Sequence, residues 1–169
     1  MPAGATYEPI ATANISGVTS YDFTSISGSY TDLKLVVMAR TSAADNLSIR
    51  VNSDTATNYS ETGIMGNGTS ATSWRRSSAT YIRPTNGIGT PTAANTFMLG
   101  IFEFQSYSGS TNKTILMTAA NDQNGSGDTV RGVGLWRSTS AITTIQILTN
   151  FGATFQTGTT ATLYGIKAA

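Results

Sequence analysis

Residues 30–52, YTDLKLVVMARTSAADNLSIRVN, set the pattern that the rest of the chain repeats. Leu33, Leu35, Val37 and Ala39 alternate with Asp32, Lys34, Val36, Met38 and Arg40, the period-two signature of a strand. Val36 and Met38 make the second face partly apolar too, which predicts a central strand. A cleaner run follows, with Leu47, Ile49 and Val51 on one face and Ser48, Arg50 and Asn52 on the other. The small, polar residues 41–46 between them have the chemistry of a connecting loop. The segment therefore reads as an opening hairpin of an antiparallel sheet.

The remaining chain follows the same scheme. Residues 5–13 form a short extended segment with Tyr7 and Ile10, where Pro9 argues for an edge position or an arm. Residues 18–23 alternate loosely, Gly28 centres a turn, and 59–65 read as a strand closed by the Asn67-Gly68 turn signal. Residues 73–84 form an irregular strand ended by Pro84, and 85–94 a Gly- and Pro-marked loop. Residues 97–104 are apolar on both faces (Phe97, Leu99 and Ile101; Met98, Phe102 and Phe104) and are expected to be a buried central strand. A short strand at 115–117, a loop at 121–128 (NDQNGSGD) and three further strands at 130–137, 142–148 and 160–167 complete the series. No window keeps apolar residues at helical spacing. The expectation is an all-β antiparallel sandwich or barrel of roughly nine to eleven short strands. One domain over 14–169 would follow an extended N-terminal arm, 1–13.

Composition sharpens this picture. The 169 residues suffice for one domain with a real core. Only 11% are charged, while Ser and Thr together supply 48 positions, with 17 Gly and 11 Asn. Such a chain cannot furnish long exposed helices, and it suits sheets with hydroxyl-rich solvent faces. The net charge of +1 aims no broad field at nucleic acid or an anionic membrane. With no cysteine and no histidine, disulfides, thiol chemistry and the commonest general base and zinc ligand are all missing. No stretch approaches the roughly 20 apolar residues of a membrane span. The first ten residues, MPAGATYEPI, lack the charged start and apolar middle of a secretory leader, so none is expected.

Candidate chemistry is sparse. A glycosidase needs two carboxylates, one of them a general acid. Asp45, Asp54, Asp122 and Asp128 fall in loops, Glu61 in a polar strand position, and Glu103 interrupts an apolar strand, where a charge needs a partner. Turn, rim or ion-pair roles are expected for them, and no catalytic pair. Asp122, Asn124 and Asp128 supply oxygen ligands on a Gly-rich loop, but their spacing departs from the EF-hand pattern and suits an ordinary turn. No cofactor or metal is expected. Trp74-Arg75-Arg76 and Trp136-Arg137 set aromatics beside guanidiniums, residue types enriched where surfaces meet partners. Val133 and Leu135 flank Trp136 and favour a core place for it, whereas Trp74 has only Ser and Thr for company.

Several segments together carry a family resemblance: Tyr7-Glu8-Pro9-Ile10-Ala11, ISGSYTDL over 26–33, Arg50-Val51-Asn52-Ser53-Asp54 with Asn58-Tyr59-Ser60, Gly134-Leu135-Trp136-Arg137-Ser138, and Leu163-Tyr164-Gly165-Ile166-Lys167. The chain resembles the small virion structural proteins of tailed phages known as head decoration (cement) or fibre proteins. The resemblance implies a jelly-roll-like β-sandwich without catalytic residues, assembled as a homo-oligomer, usually a trimer, on the capsid surface. The expected role is a cement protein bridging major capsid proteins, with Tyr7, Ile10, Trp74, Arg75, Arg76, Trp136 and Arg137 as candidate contacts. The alternative is a fibre tip that recognises host glycans through exposed aromatics such as Trp74. A polysaccharide-cleaving enzyme is the remotest reading.

Overall fold

The structure, a computed structural model, describes residues 6–84 and 94–167. Eleven strands follow one another: β1 (Tyr7–Ile15), β2 (Ser20–Phe23), β3 (Asp32–Ala39), β4 (Leu47–Val51), β5 (Tyr59–Gly66), β6 (Ala71–Ala79), β7 (Met98–Phe104), β8 (Lys113–Asp122), β9 (Gly127–Trp136), β10 (Ile145–Thr149) and β11 (Thr159–Ile166). No helix occurs among the described residues, so none there is long and apolar enough to cross a membrane. All pairings are antiparallel. They build an eight-stranded sheet in the order β1-β11-β3-β7-β8-β9-β5-β6 and a three-stranded sheet in the order β2-β10-β4. The all-β sandwich expected from the alternation is thus the fold found.

The alternation of β3 decides where the core lies. Leu33, Leu35, Val37 and Ala39 are fully buried, as are Phe102 and Phe104 on the neighbouring β7. The small sheet closes over this face with Leu47, Ile49, Val51, Ile145 and Ile147. Leu47 packs directly on Gly100 of β7, and Ile82 lies so close over Gly134 that a Cβ there would come within 2.6 Å of its Cδ1. From β5, the Tyr59 ring reaches across so that its hydroxyl meets the backbone of Val51. Burial pushes that phenol up to about 12.

Four sequence expectations change. β3 and β4 are not a hairpin: β3 sits between β11 and β7, whereas β4 is an edge of the small sheet. Residues 41–46 cross between the layers, which turns two apolar faces toward each other instead of laying them side by side. The N-terminal arm is from Tyr7 onward an edge strand, β1, paired along its length with β11. Its apolar positions Ala13 and Ile15 belong to the core, and the register shifts between Pro9 and Ala11, beside the residue that lacks an N–H. The short strand at 115–117 runs from Lys113 to Asp122, and the expected loop 121–128 shrinks to a turn at 123–126, because Asn121 pairs with Asp128 and Asp122 with Gly127. Finally, β7 is central, yet only one of its faces is buried: Met98, Phe102 and Phe104 point inward, and Leu99 is exposed. Most of the loop expected at 85–94 lies outside the described residues.

Candidate functional site

The seven residues singled out by the sequence do not form one surface. Trp136 ends β9 inside the core, and its indole Nε1 donates to Asp54 Oδ2 at 2.7 Å. Asp54 also accepts from Asn58 Nδ2 and the Ala56 amide. Partial burial would raise this carboxyl, but the three hydrogen bonds and the Arg50 charge outweigh it and hold it below its ordinary value. Arg137 is exposed, but its guanidinium donates to the Thr57 carbonyl and its amide to Asn58 O. Trp136 and Arg137 therefore fasten the 53–58 loop of their own chain.

Trp74 is likewise turned inward. Its cross-strand partner on β5 is Gly63, and the indole lies flat enough over it that a Cβ at 63 would fall 2.4 Å from Cη2. The missing apolar company in the local sequence is supplied by a bare glycine surface across the strand. Nε1 is buried with no hydrogen-bond partner. The ring is thus not available for stacking on a sugar. Arg76, also on the inner side of β6, donates from Nε to Glu61 Oε1 at 2.7 Å and from Nη2 to the Tyr81 carbonyl, with its guanidinium 4.8 Å from the Tyr81 ring centroid. Burial alone would lower Arg76, yet the Glu61 hydrogen bond and charge prevail and raise it. Glu61, fully buried, also accepts the Arg83 amide. This is an internal ion pair that ties β5, β6 and the 81–83 segment together.

Tyr7 and Arg75 face outward, whereas Ile10 packs partly buried against the core. Tyr7, 51% exposed on the edge strand, sets its ring edge-on to Tyr164 at 6.4 Å, with Lys34 Nζ 5.8 Å from its centroid. Lys34 pairs in turn with Glu103 at 3.2 Å directly across the β3–β7 ladder, so the charge that interrupts β7 has its partner. Beside them Lys167 bonds Glu8 at 2.6 Å, which raises the lysine. Ile10 is half-buried and lines a cleft of about 200 Å³ between β1 and β2, with Tyr21, Phe23, Ile26 and Leu163. Arg75 is solvent-exposed on the edge strand β6.

Five of the six carboxylates weighed for catalysis, Asp45, Asp54, Glu61, Glu103 and Asp122, are spent on the fold. Asp45, buried in the crossover, accepts from the amides of Asn46, Asn150, Phe151 and Ala153. Asp122 Oδ1 caps the β8–β9 turn by accepting the Asn124 and Gly125 amides. Among the described residues no three His, Cys, Asp or Glu side chains converge where a metal ion would sit.

Two features escaped the sequence reading. The first is Phe151, 74% exposed at the tip of the turn that Asp45 clamps, where Gly152 takes φ +87°. The second is the outer face of the eight-stranded sheet. Register places Val36 beside Ile101, Met38 beside Leu99, and Leu116 beside Val133. Met38 and Leu99 are 40% and 44% exposed, the other four half-buried, and Ile64, 61% exposed, extends the patch onto β5. The signal was present, since β3 and β7 are apolar in both phases; what it meant depended on which layers exist. No family model, curated protein or solved structure matches the chain.

Proposed function

We propose that this chain is a virion structural protein of a tailed phage, an oligomeric capsid cement that bridges major capsid proteins. The observation that carries the reading is how the protein uses its chemistry. Most of its described acids serve as turn clamps, loop anchors and ion-pair partners, while apolar side chains on the outer sheet face and an aromatic knob remain outside. That distribution suits assembly and supports a non-enzymatic role. The resemblance of the scattered segments to head decoration and fibre proteins supplies the setting, and a weakly charged, hydroxyl-rich sandwich suits a particle surface.

A fibre tip that binds host glycans is the second reading. The aromatics that favour it are Tyr7 and Phe151, because Trp74 is occupied within its own chain. Quantitative mass spectrometry of purified virions separates the two. A copy number comparable to that of the major capsid protein is expected for the cement, and a small fraction of it would transfer the chain to a fibre. Absence from virions would overturn both. Removing residues 1–13 is not a clean test of capsid docking, since it would strip β1 from the sheet.

A further inference from the structure

We propose that the outer face of β5, β6 and β9 binds an acidic polysaccharide, with Arg75 and Arg131 each holding a uronate carboxylate. The inference stands apart from the virion reading, and its test needs no particle. Register sets Thr62 of β5 between Arg75 and Val133, and Ile64 between Ser73 and Arg131. The two arginines are therefore two strand spacings across and two residues along from each other, about 12 Å at Cα. Both are exposed, and among the described residues neither guanidinium meets a carboxylate; Arg131 Nη1 donates to Thr118 Oγ1. The acids of the same strands lie elsewhere. Glu61 has its side chain fully buried against Arg76, while Asp122 caps the β8–β9 turn and Asp128 pairs with Asn121 beside it.

The face is shaped as well as charged. A hollow of about 320 Å³ is lined by Thr62, Arg75, Val133 and Leu135, and a second of about 350 Å³ by Ile64, Thr118 and Arg131, in line along β5 and β9. Each joins one guanidinium to hydroxyls and an apolar floor. Charge complementarity selects an anion, and the guanidinium fork fits a carboxylate with two parallel hydrogen bonds. The remaining surface selects a sugar. Thr62 and Thr118 hydroxyls can both donate and accept, as sugar hydroxyls require, and the C–H faces of a sugar ring lie well on Val133, Leu135 and Ile64. An extended peptide would need partners for its own backbone, and β5 and β9 have none to give, since each is paired on both sides. Two like hollows in succession suit a polymer whose acid recurs along the chain.

Titration calorimetry of the full chain with alginate oligosaccharides is expected to show saturable binding that weakens with added salt. Binding should vanish when the uronates are reduced to neutral sugars. Arg75→Gln/Arg131→Gln is expected to weaken it by about tenfold or more with the thermal transition retained. Should the double variant fold poorly, each single variant is expected to lose part of the affinity. Lys167→Gln, which removes an exposed cation at the end of β11, is expected to bind as the wild type does. No binding to the uronate oligomers would overturn the proposal. So would equal binding of the reduced sugars, or an affinity indifferent to both arginines. Polyglutamate bound as tightly as the oligosaccharide would assign the face to an acidic protein segment and overturn it too.

Discussion

On one face of the eight-stranded sheet, Leu35, Val37, Phe102 and Met117 are sealed by the small sheet. On the other, their sequence neighbours Val36, Ile101 and Leu116 have no described element of the chain above them and remain half-exposed. The same strands, with the same side-chain types one residue apart, thus meet two environments. Apolar character alone does not make a core; a second layer does. The three-stranded sheet covers only one face, so among the described residues the other apolar positions stay at the surface.

The contrast is sharpest at adjacent positions. Phe102→Ala should lower the unfolding free energy by about 4 kcal/mol, read as a shift in denaturant midpoint, because it deletes a fully buried ring and leaves a cavity. Ile101→Ala, one residue away, should cost under about 1 kcal/mol in the isolated monomer, since its site is already half open. Equal costs would mean that the two faces do not differ as described.

The inner face also depends on a buried carboxylate, whereas the Lys34–Glu103 pair of the outer face is partly exposed. Glu61→Gln should destabilise by about 3 kcal/mol, because it leaves the Arg76 guanidinium partly buried against a neutral amide. A loss no larger than that of an exposed Lys34→Gln control would show that the Glu61 pair is no more than a surface contact. Gly63→Ala should cost about 2 kcal/mol by lifting Trp74 off β5, with a matching change in tryptophan emission. If emission and midpoint both stay constant, Trp74 does not rest on Gly63.

A smaller effect is expected with pH. Asp54 is held below its ordinary value in the fold, so its contribution is complete above the unfolded carboxyl range, near pH 4, and is lost as pH falls through the folded value. Trp136, hydrogen-bonded to it, should report the loss, and Asp54→Asn should flatten the acid limb of that emission change. An unchanged limb in the variant would place the acid sensitivity elsewhere.

What the sequence disclosed follows from how local each cause is. Strand periodicity showed β3, β4, β7 and β11 within a residue or two, and Asn67-Gly68 gave the β5–β6 turn, in which Asn67 Oδ1 accepts the Thr69 and Ser70 amides. Partner choice is not local. The crossing of 41–46 between layers is secured by Asp45 reaching amides at 150–153, more than a hundred residues on. Trp74 looked unattended because Gly63 becomes its neighbour only through the β5–β6 register. The extension of β8 through TAAND was hidden because small and polar residues carry weak strand preference, and pairing with β9 supplies what propensity does not. Of the candidate contacts, the exposure of Tyr7 and Arg75 and the packing of Trp136 depend mostly on local pattern, whereas the outer face required knowing that no described element lies over it.

Methionine oxidation offers the most direct test of the unequal faces. Met38 lies on the outer face and Met117 on the inner, so limited peroxide treatment followed by peptide mass spectrometry reads both in one sample. Met117 should be protected throughout, while Met38 should oxidise at least several-fold faster. Equal oxidation rates for the two methionines would contradict the account.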